Sequence, residues 1–433
     1  MASSQWLANR GERIAYRIGG LPIALSALAR SGVDSPATRL RRAYARFFWH
    51  PATTTDRAEL AAALCLWPVV LLFSAVVLIC RNGRKIARGY GRSMTRQFLD
   101  QLWLYMKAGI LPPWYYIYSL YEGSVRSGLA GFLTRCETKL GVYQMLHHQS
   151  SELLGDKWAF ARHCERNALP AIPVFALLRE GVISGPACSA ARLPRQDLFV
   201  KPVRGRGGTG AERWDYIGAE CYHRMDGLEA DAAGLLARLR SGSLRRALLV
   251  QPRIRNHPEL SDLSNGGALA TVRALTCLDE TGCPELIGAV LRMAVGANTT
   301  VDNFHAGGIA ADVDLETGRL SQASDLGMFA RVGWVTHHPV TGARIAGRQL
   351  PLWPELRAVA LRAHAAFDDR ILVGWDIAIT DTGIVLVEGN SGPDVDIMQR
   401  ARRCGLFEGR FGPLLAFHVE QQGAVLARQR PFP

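Results

Sequence analysis

Val373-Gly-Trp-Asp-Ile-Ala-Ile-Thr-Asp-Thr-Gly-Ile-Val-Leu-Val-Glu-Gly-Asn390 reads as a β-hairpin that sets two carboxylates face to face. Residues 371–380 and 383–389 alternate and are rich in Val and Ile, and Asp381-Thr382-Gly383 between them is a turn signal. If the chain folds back about Thr382, Asp376 stands six residues before the centre and Glu388 six after. They are then direct cross-strand neighbours, with Cβ atoms about 5 Å apart. Asn390, two residues beyond Glu388, projects from the same face. Like charges so placed repel, and a hard cation resolves the conflict. Mg²⁺, or Mn²⁺ in its place, takes oxygen ligands and is commonly held by one or two carboxylates plus substrate phosphates. The plainer alternative, a solvated acidic hairpin face, fits poorly with strands this apolar.

Upstream, Leu198-Phe-Val-Lys-Pro-Val-Arg-Gly-Arg-Gly-Gly-Thr-Gly210 puts Lys201 at the end of an apolar strand, directly before a loop containing Gly205, Gly207, Gly208, Thr209 and Gly210. Glycines let backbone N–H groups close on phosphate oxygens, and a fixed ammonium adds charge that amides cannot. This is not a Walker A loop, because the lysine precedes the glycines and no Gly-Lys-Ser/Thr follows. Nor does Ala211-Glu-Arg-Trp-Asp-Tyr216 open a convincing helix. Alone the stretch could be an ordinary glycine-rich surface loop; beside the paired carboxylates it reads as a phosphate cradle.

A chain of 433 residues, 21% charged and 48% apolar, is long enough for two or three folded domains. Its formal charge of +13 is uneven: residues 1–96 hold 15 Lys+Arg against four Asp+Glu, so +11 belongs to them and only +2 to the rest. A globally basic surface would suggest nucleic acid, whereas basic residues flanking an apolar run suggest anionic lipid, with no nucleic-acid partner. The nine cysteines are odd in number, scattered and without Cys-x-x-Cys, which fits neither a disulfide framework nor a zinc site.

Leu60 to Cys80 is a run of 21 residues without a charge. As a helix it is about 31 Å long, enough for a bilayer core, and Pro68 is tolerable in such a setting. A buried core helix or an interfacial segment is the alternative. Six basic residues follow between Arg81 and Arg96, which predicts a cytoplasmic C-terminal part. Trp103, Tyr105, Trp114, Tyr115, Tyr116, Tyr118 and Tyr121 form either an interfacial belt or, as the preferred reading, a helical segment docked on the body. Further along, helices are expected over 153–168, 228–240 and 355–367. Strands are expected over 197–201, 247–251, 271–279, 286–295 and 309–315.

Together these residues resemble the sugar-transfer-associated ATP-grasp family, related to D-alanine–D-alanine ligase-like enzymes, over roughly residues 97–415. The resemblance implies an α+β fold: an ATP-grasp core of two α+β subdomains clasping ATP, preceded by a helical, membrane-associated N-terminal region. The expected division is a basic arm over 1–58, a membrane helix over 59–80, a basic and aromatic helical linker over 81–140, the ATP-grasp domain over 141–420 and a tail over 421–433. The family's strand-Lys-Pro-glycine loop matches Lys201-Pro202 through Gly210, and its earlier nucleotide lysine matches Lys157 in Asp156-Lys157. Gln251 matches the hinge residue near adenine, Glu259 the ribose-binding acid, and Asp376, Glu388 and Asn390 the Mg²⁺ ligands. Pro112-Pro-Trp-Tyr-Tyr and Asp302-Asn-Phe-His-Ala-Gly-Gly308 look like this particular subfamily.

Two departures stand out. Where many relatives carry arginine two residues before the metal aspartate, this chain has Gly374, so Arg273 is the candidate phosphate-facing guanidinium, catalytic together with Lys201. The usual α/β domain ahead of the core is replaced by the apolar run and aromatic helices. The implied activity is a membrane-associated Mg²⁺- and ATP-dependent ligase joining a carboxylate to an amine or thiol through an acyl phosphate. Its substrates are small or sugar-linked, it works in polysaccharide or envelope synthesis, and Asn303, His305 and Arg331 are acceptor-side candidates. A kinase on the same fold and a non-catalytic ATP-binding scaffold are the other readings.

Overall fold

A computed structural model describes residues 10–29, 35–146, 152–185, 193–205, 207–295, 307–329 and 333–429. Four helices open the chain: α1 (Arg10–Ala29), α2 (Pro36–Trp49), α3 (Thr54–Tyr90) and α4 (Met94–Ala108). Their ends follow from sequence. Thr53 and Asp56 form a reciprocal capping box at the start of α3, and Gly91, at φ 64°, ends it in the left-handed conformation. Pro68 stays inside this 37-residue helix.

The described part of the first 58 residues, expected as a basic arm, is tied to the rest of the chain. Arg13 and Arg17 of α1 pair with Asp56 and Glu59 of α3, at 2.7–3.4 Å, and Arg41 of α2 pairs with the buried Glu137 at 2.9 Å. Leu40 of α2 joins a core with Leu414, Leu415 and Val419 of the helix Phe411–Gln429, which runs past residue 420 where a tail was expected. Tyr115, Tyr116, Tyr118 and Tyr121 are buried against Leu78 and Ile86 of α3, so this part of the aromatic segment docks on the body.

Two seven-stranded antiparallel sheets follow in chain order. The first holds β1 (Ala176–Arg179), β2 (Val182–Ser184), β3 (Leu198–Pro202), β4 (Glu212–Gly218), β5 (Cys221–Arg224), β6 (Glu229–Asp231) and β7 (Leu248–Pro252), in the order β2-β1-β7-β3-β4-β5-β6. The second holds β8 (Thr271–Leu278), β9 (Pro284–Met293), β10 (Ile309–Val313), β11 (Leu320–Ser324), β12 (Trp334–Val335), β13 (Leu372–Thr380) and β14 (Gly383–Asn390), in the order β12-β11-β10-β9-β8-β13-β14.

Every residue of β13 is buried, because the helix Trp353–Ala366 covers one face of this sheet and Met398, Phe411 and Leu415 cover the other. The edge strand β14 is sealed where Ile172 donates to Leu386 O at 3.3 Å and Leu386 donates back to Pro170 O at 2.6 Å.

Some local expectations shift. The helix expected over 153–168 breaks at Asp156, whose carboxylate caps the helix Lys157–Arg166 by accepting from Trp158 N and Ala159 N. The helix expected over 228–240 begins only at Ala232, behind β6, and its N-cap is Asp231.

Candidate active site between the two sheets

The hairpin β13–β14 pairs Asp376 directly with Glu388, but not by a symmetric fold about Thr382. Thr380 pairs with Gly383, so the loop is the two residues Asp381 and Thr382, and Ile377 pairs with Leu386. Val387 is therefore an extra residue, a β-bulge, and it brings Glu388 rather than Val387 opposite Asp376. The alternation of burial along β14 breaks at these two residues, both half-buried.

The two carboxylates are not equivalent. Asp376 is 4% exposed and lies in register with Arg273 of β8. Arg273 donates through Nε to Oδ1 and through Nη2 to Oδ2 at 3.0 Å, and Arg292 Nη2 of β9 reaches Oδ2 at 3.0 Å. Burial alone would push this carboxyl up; the two guanidiniums outweigh it and hold Asp376 well below the usual carboxylate range. Repulsion between bare carboxylates, the premise from sequence, is thus relieved at Asp376 by arginine. Glu388 is half-buried. Arg292 was not singled out in the sequence, although a lone arginine within Leu286–Val295 was the available signal.

Gly374 has a physical reason. A Cβ there would sit 2.7 Å from Pro393 Cβ and 3.4 Å from Arg273 Cδ, so the space a side chain would need is already filled.

Lys201 reaches this pair from the other sheet. It ends β3, is 8% exposed, and lies within electrostatic range of Glu388, Asp376 and Lys157. Burial pulls its ammonium down from 10.5 to about 8, Lys157 adding to the depression while Glu388 and Asp376 oppose it. The unfolded chain therefore binds the extra proton between pH 8 and 10.5, and ligand-free stability should rise with pH across that window.

Lys157, half-exposed at the start of its helix, donates from Nζ to Gly205 O at 2.9 Å and from its backbone to Val203 O at 3.1 Å. The glycine loop it touches is exposed, and Gly205, Gly207, Gly208 and Gly210 all take φ between 64° and 145°. Few other residues would follow that path. Thr209 is exposed beside them.

Gln251, on β7 next to β3, is 4% exposed. Its Nε2 donates to Ile172 O at 3.1 Å while Oε1 is buried without a partner. A buried acceptor left open is what a hydrogen-bonding ligand would satisfy.

Glu259 is exposed on a 3₁₀ turn, where its carbonyl accepts from Arg348 at 3.0 Å. Asn390 donates from Nδ2 to Gly374 O at 3.4 Å, which leaves its Oδ1 available. Asn303, His305 and Arg331 lie outside the described residues.

The loop after Asn390 is clasped by the helical layer. Lys139 Nζ donates to Gly392 O, Tyr143 OH to Pro393 O at 2.8 Å, and Arg135 pairs with Asp394 at 3.0 Å. Asp396, raised to about 6 by burial and then by Asp394, accepts from Trp114 Nε1 at 3.0 Å and from Tyr118 OH at 2.6 Å. Of these, only the docking of Trp114 and Tyr118 on the body was anticipated.

Among the described residues no three His, Cys, Asp or Glu cluster as a metal site. Yet Asp376, Glu388 and Asn390 are all oxygen donors, and the arginines take three of the roughly four lone-pair positions of Asp376. Glu388, in hydrogen-bond range of Asp376, adds the second carboxylate, so the set fits Mg²⁺ completed by phosphate oxygens and water. For ATP, two lysines, a left-handed glycine loop and the open Gln251 acceptor fit phosphates at one end and a hydrogen-bonding base at the other.

Comparison with solved structures finds D-alanyl-alanine synthetase A from Vibrio cholerae O1 biovar eltor (12% identity, TM-score 0.36, 62% of this chain and 65% of that one). It also finds D-alanine–D-alanine ligase from Bacillus anthracis complexed with ATP (11%, 0.36, 64% and 69%) and L-amino acid ligase from Bacillus licheniformis (11%, 0.30, 55% and 41%). The chain thus spans just under two thirds of the length of the Vibrio protein. No curated protein matches by sequence. Residues 142–411 match the model of the family described as sugar-transfer associated ATP-grasp.

Proposed function

The chain belongs to the sugar-transfer associated ATP-grasp family, and on that premise we propose that it is an Mg²⁺- and ATP-dependent ligase joining a carboxylate to an amine or thiol, in the synthesis of a cell-surface polysaccharide or envelope component. The observation that carries the reading is the meeting of Lys201 from one sheet, with Lys157 at a helix start beside it, with Asp376 and Glu388 from the other.

In this chemistry a substrate carboxylate oxygen attacks the γ-phosphorus, the bond to the β-phosphate bridging oxygen breaks, and ADP leaves. The nucleophile then attacks the acyl carbon, phosphate departs, and the proton of the amine or thiol is lost. Catalysis is positioning and charge neutralisation rather than covalent attack by the protein. Lys201 and Lys157 hold phosphate oxygens, the glycine loop closes over them, and Gln251 receives the base. Arg273, held against Asp376, offers its remaining N–H groups to the transferring phosphoryl group. Asp376, Glu388 and Asn390 would hold Mg²⁺, which supplies positive charge to the β- and γ-phosphates. Need for ATP puts the cleft on the cytoplasmic side of the membrane with which the apolar N-terminal helix associates the chain.

Incubating the detergent-purified full chain with ATP, Mg²⁺ and pooled carboxylates and amines tests the proposal. ADP release with hydroxamate trapping is the expected result, whereas a phosphorylated alcohol would mean a kinase. ATP binding without turnover on any pool would mean a scaffold.

Lys201→Ala should weaken ATP and ADP by a charge-assisted contact of about 1.5–3 kcal/mol and leave adenosine nearly unchanged. Equal loss for adenosine would remove Lys201 from the phosphates. Because phosphates favour the charged ammonium, nucleotide affinity should also fall as pH rises above about 8. That slope should flatten in Lys201→Arg, whose guanidinium stays protonated. ADP titrations between pH 7 and 9.5 measure it.

A further inference from the structure

The helix α3 is long and apolar enough to cross a bilayer, with mean hydropathy 2.7 over its best window. Its packing is wrong for crossing one. Leu60, Ala63, Leu71, Ala75, Leu78 and Ile86 are buried, a stripe at helical spacing that covers some 39 Å at about 1.5 Å per residue. The partners of that stripe belong to one body. Ala63 and Leu71 pack with Tyr16, Tyr105, Leu111 and Leu140, while Leu78 and Ile86 pack with Tyr115 to Tyr121 and Phe132.

Beyond the apolar run, Asn82 Nδ2 donates at 2.9 Å to Met328 O, which lies past β11. A spanning helix would carry one end of this stripe about 30 Å away, across the hydrocarbon. It would also drag Leu140 to mid-bilayer, and with it Arg135 and Lys139, which clasp the catalytic loop.

The opposite face of α3 is bare. Leu64, Leu66, Val69, Leu72, Phe73 and Val76 are exposed. The next helix, α4, runs antiparallel to α3, as Gln97 bonding to Gly83 O and Tyr105 stacking on Trp67 require. It adds Leu99, Trp103 and Met106 at i, i+4 and i+7. The charges around these stripes share one sign. Between residues 57 and 108 the exposed charged side chains are all basic, among them Arg57, Arg84, Lys85, Arg88, Arg96 and Lys107. The two acids in that stretch, Glu59 and Asp100, are buried in ion pairs with arginines. Lys107 lies 4.6 Å over the Trp103 ring, an aromatic–cation pair suited to a headgroup layer.

The geometry points to α3 lying in the plane of an anionic bilayer surface, together with α4. The bare apolar faces enter the headgroup–acyl boundary, the basic residues meet anionic headgroups, and the catalytic body rests on the same side. This rests on the reading that the chain is membrane-associated and changes its topology from spanning to one-sided attachment.

Full-length protein in sealed, inverted vesicles from the expression host tests it. An impermeant maleimide is added and labelled peptides are mapped. Native Cys283, exposed in the turn between β8 and β9, marks the side of the catalytic body. In Ala52→Cys, just ahead of α3, the new thiol should react from the same side as Cys283. Reaction of the two from opposite sides overturns in-plane attachment but leaves membrane association standing.

A second measurement uses two variants, one keeping only Cys65 and the other only Cys80 among the accessible cysteines. Spin labels on native Cys65 and Cys80, both exposed, should report similar shallow depths, about 5–10 Å below the headgroups, in phosphatidylglycerol-containing vesicles. A Cys65 label much deeper than Cys80 counts against the proposal. The purified chain should also bind phosphatidylglycerol vesicles at least tenfold more tightly than pure phosphatidylcholine ones. Failure to bind either, with a stable dimer in sedimentation, would mean that a second copy covers the face and that membrane association itself is wrong.

Discussion

Glu388→Gln should lower Mg²⁺-dependent ATP turnover by roughly 10²–10³-fold, the scale seen when one charge-stabilising group is lost from an active site. The ligand-free protein should keep its stability to within about 0.5 kcal/mol, as a surface-like substitution does. Glu388 is half-buried at the bulge, and glutamine keeps its length and one oxygen while removing the negative charge that faces Lys201 and the cation. Losing that charge should also lower the Lys201 ammonium further, moving the nucleotide-affinity fall to lower pH. Steady-state kinetics, thermal melts and ADP titrations read the three effects. A large loss of ligand-free stability would make Glu388 a structural residue, and the cation site would have to be sought elsewhere.

Asp376→Ala should behave differently, costing about 3–5 kcal/mol in denaturant unfolding before any activity is measured. Removing one partner of a buried ion pair strands the other: here it strands Arg273 and takes one partner from Arg292, which also donates to Thr271 Oγ1. The sign with pH follows. Asp376 titrates below its ordinary value in the fold, so its stabilisation is complete above about pH 4 and is lost as pH falls below that. The wild type should therefore lose more stability between pH 4 and 2 than the variant does. If Asp376→Ala melts like the wild type, the two arginines do not depend on it. Activity loss at Asp376 alone would in any case be a poor argument for a metal ligand, and Glu388 is the cleaner probe.

The hairpin was legible because its period of two, its β-branched residues and its turn all agree. What spacing could not show was how the turn and the bulge divide the extra residue. A three-residue turn and a two-residue loop plus Val387 give the same Asp376–Glu388 pairing. Lys201 and the glycine loop were legible from residue type, Lys157 only through the family resemblance, and the approach of Lys201 to β13–β14 needed the second sheet. The strands β4 and β5 went unread because Glu212, Asp215 and Arg224 interrupt their alternation with ion pairs along the sheet surface.

The N-terminal misreading has one cause. Charge counts treat Arg13, Arg17 and Arg41 as solvated, whereas each has a carboxylate partner many residues away in sequence. Arg292 was hidden for the opposite reason, as one charge in a run of buried apolar residues whose partner Asp376 lies far along the chain.

The clasp on Asp396 sets how small a working piece of this protein can be. The family match begins at residue 142, yet Trp114 and Tyr118, which hold Asp396 six residues past Asn390, lie well before it. Their own neighbours, Tyr115 and Tyr121, are covered in turn by Leu78 and Ile86. Trimming the chain at residue 96 to shed its greasy helix would uncover that tyrosine face and loosen the backbone that carries Asn390. The shortest active fragment should therefore begin ahead of α3, and solubility has to come from a lipid or detergent belt around the intact chain rather than from scissors.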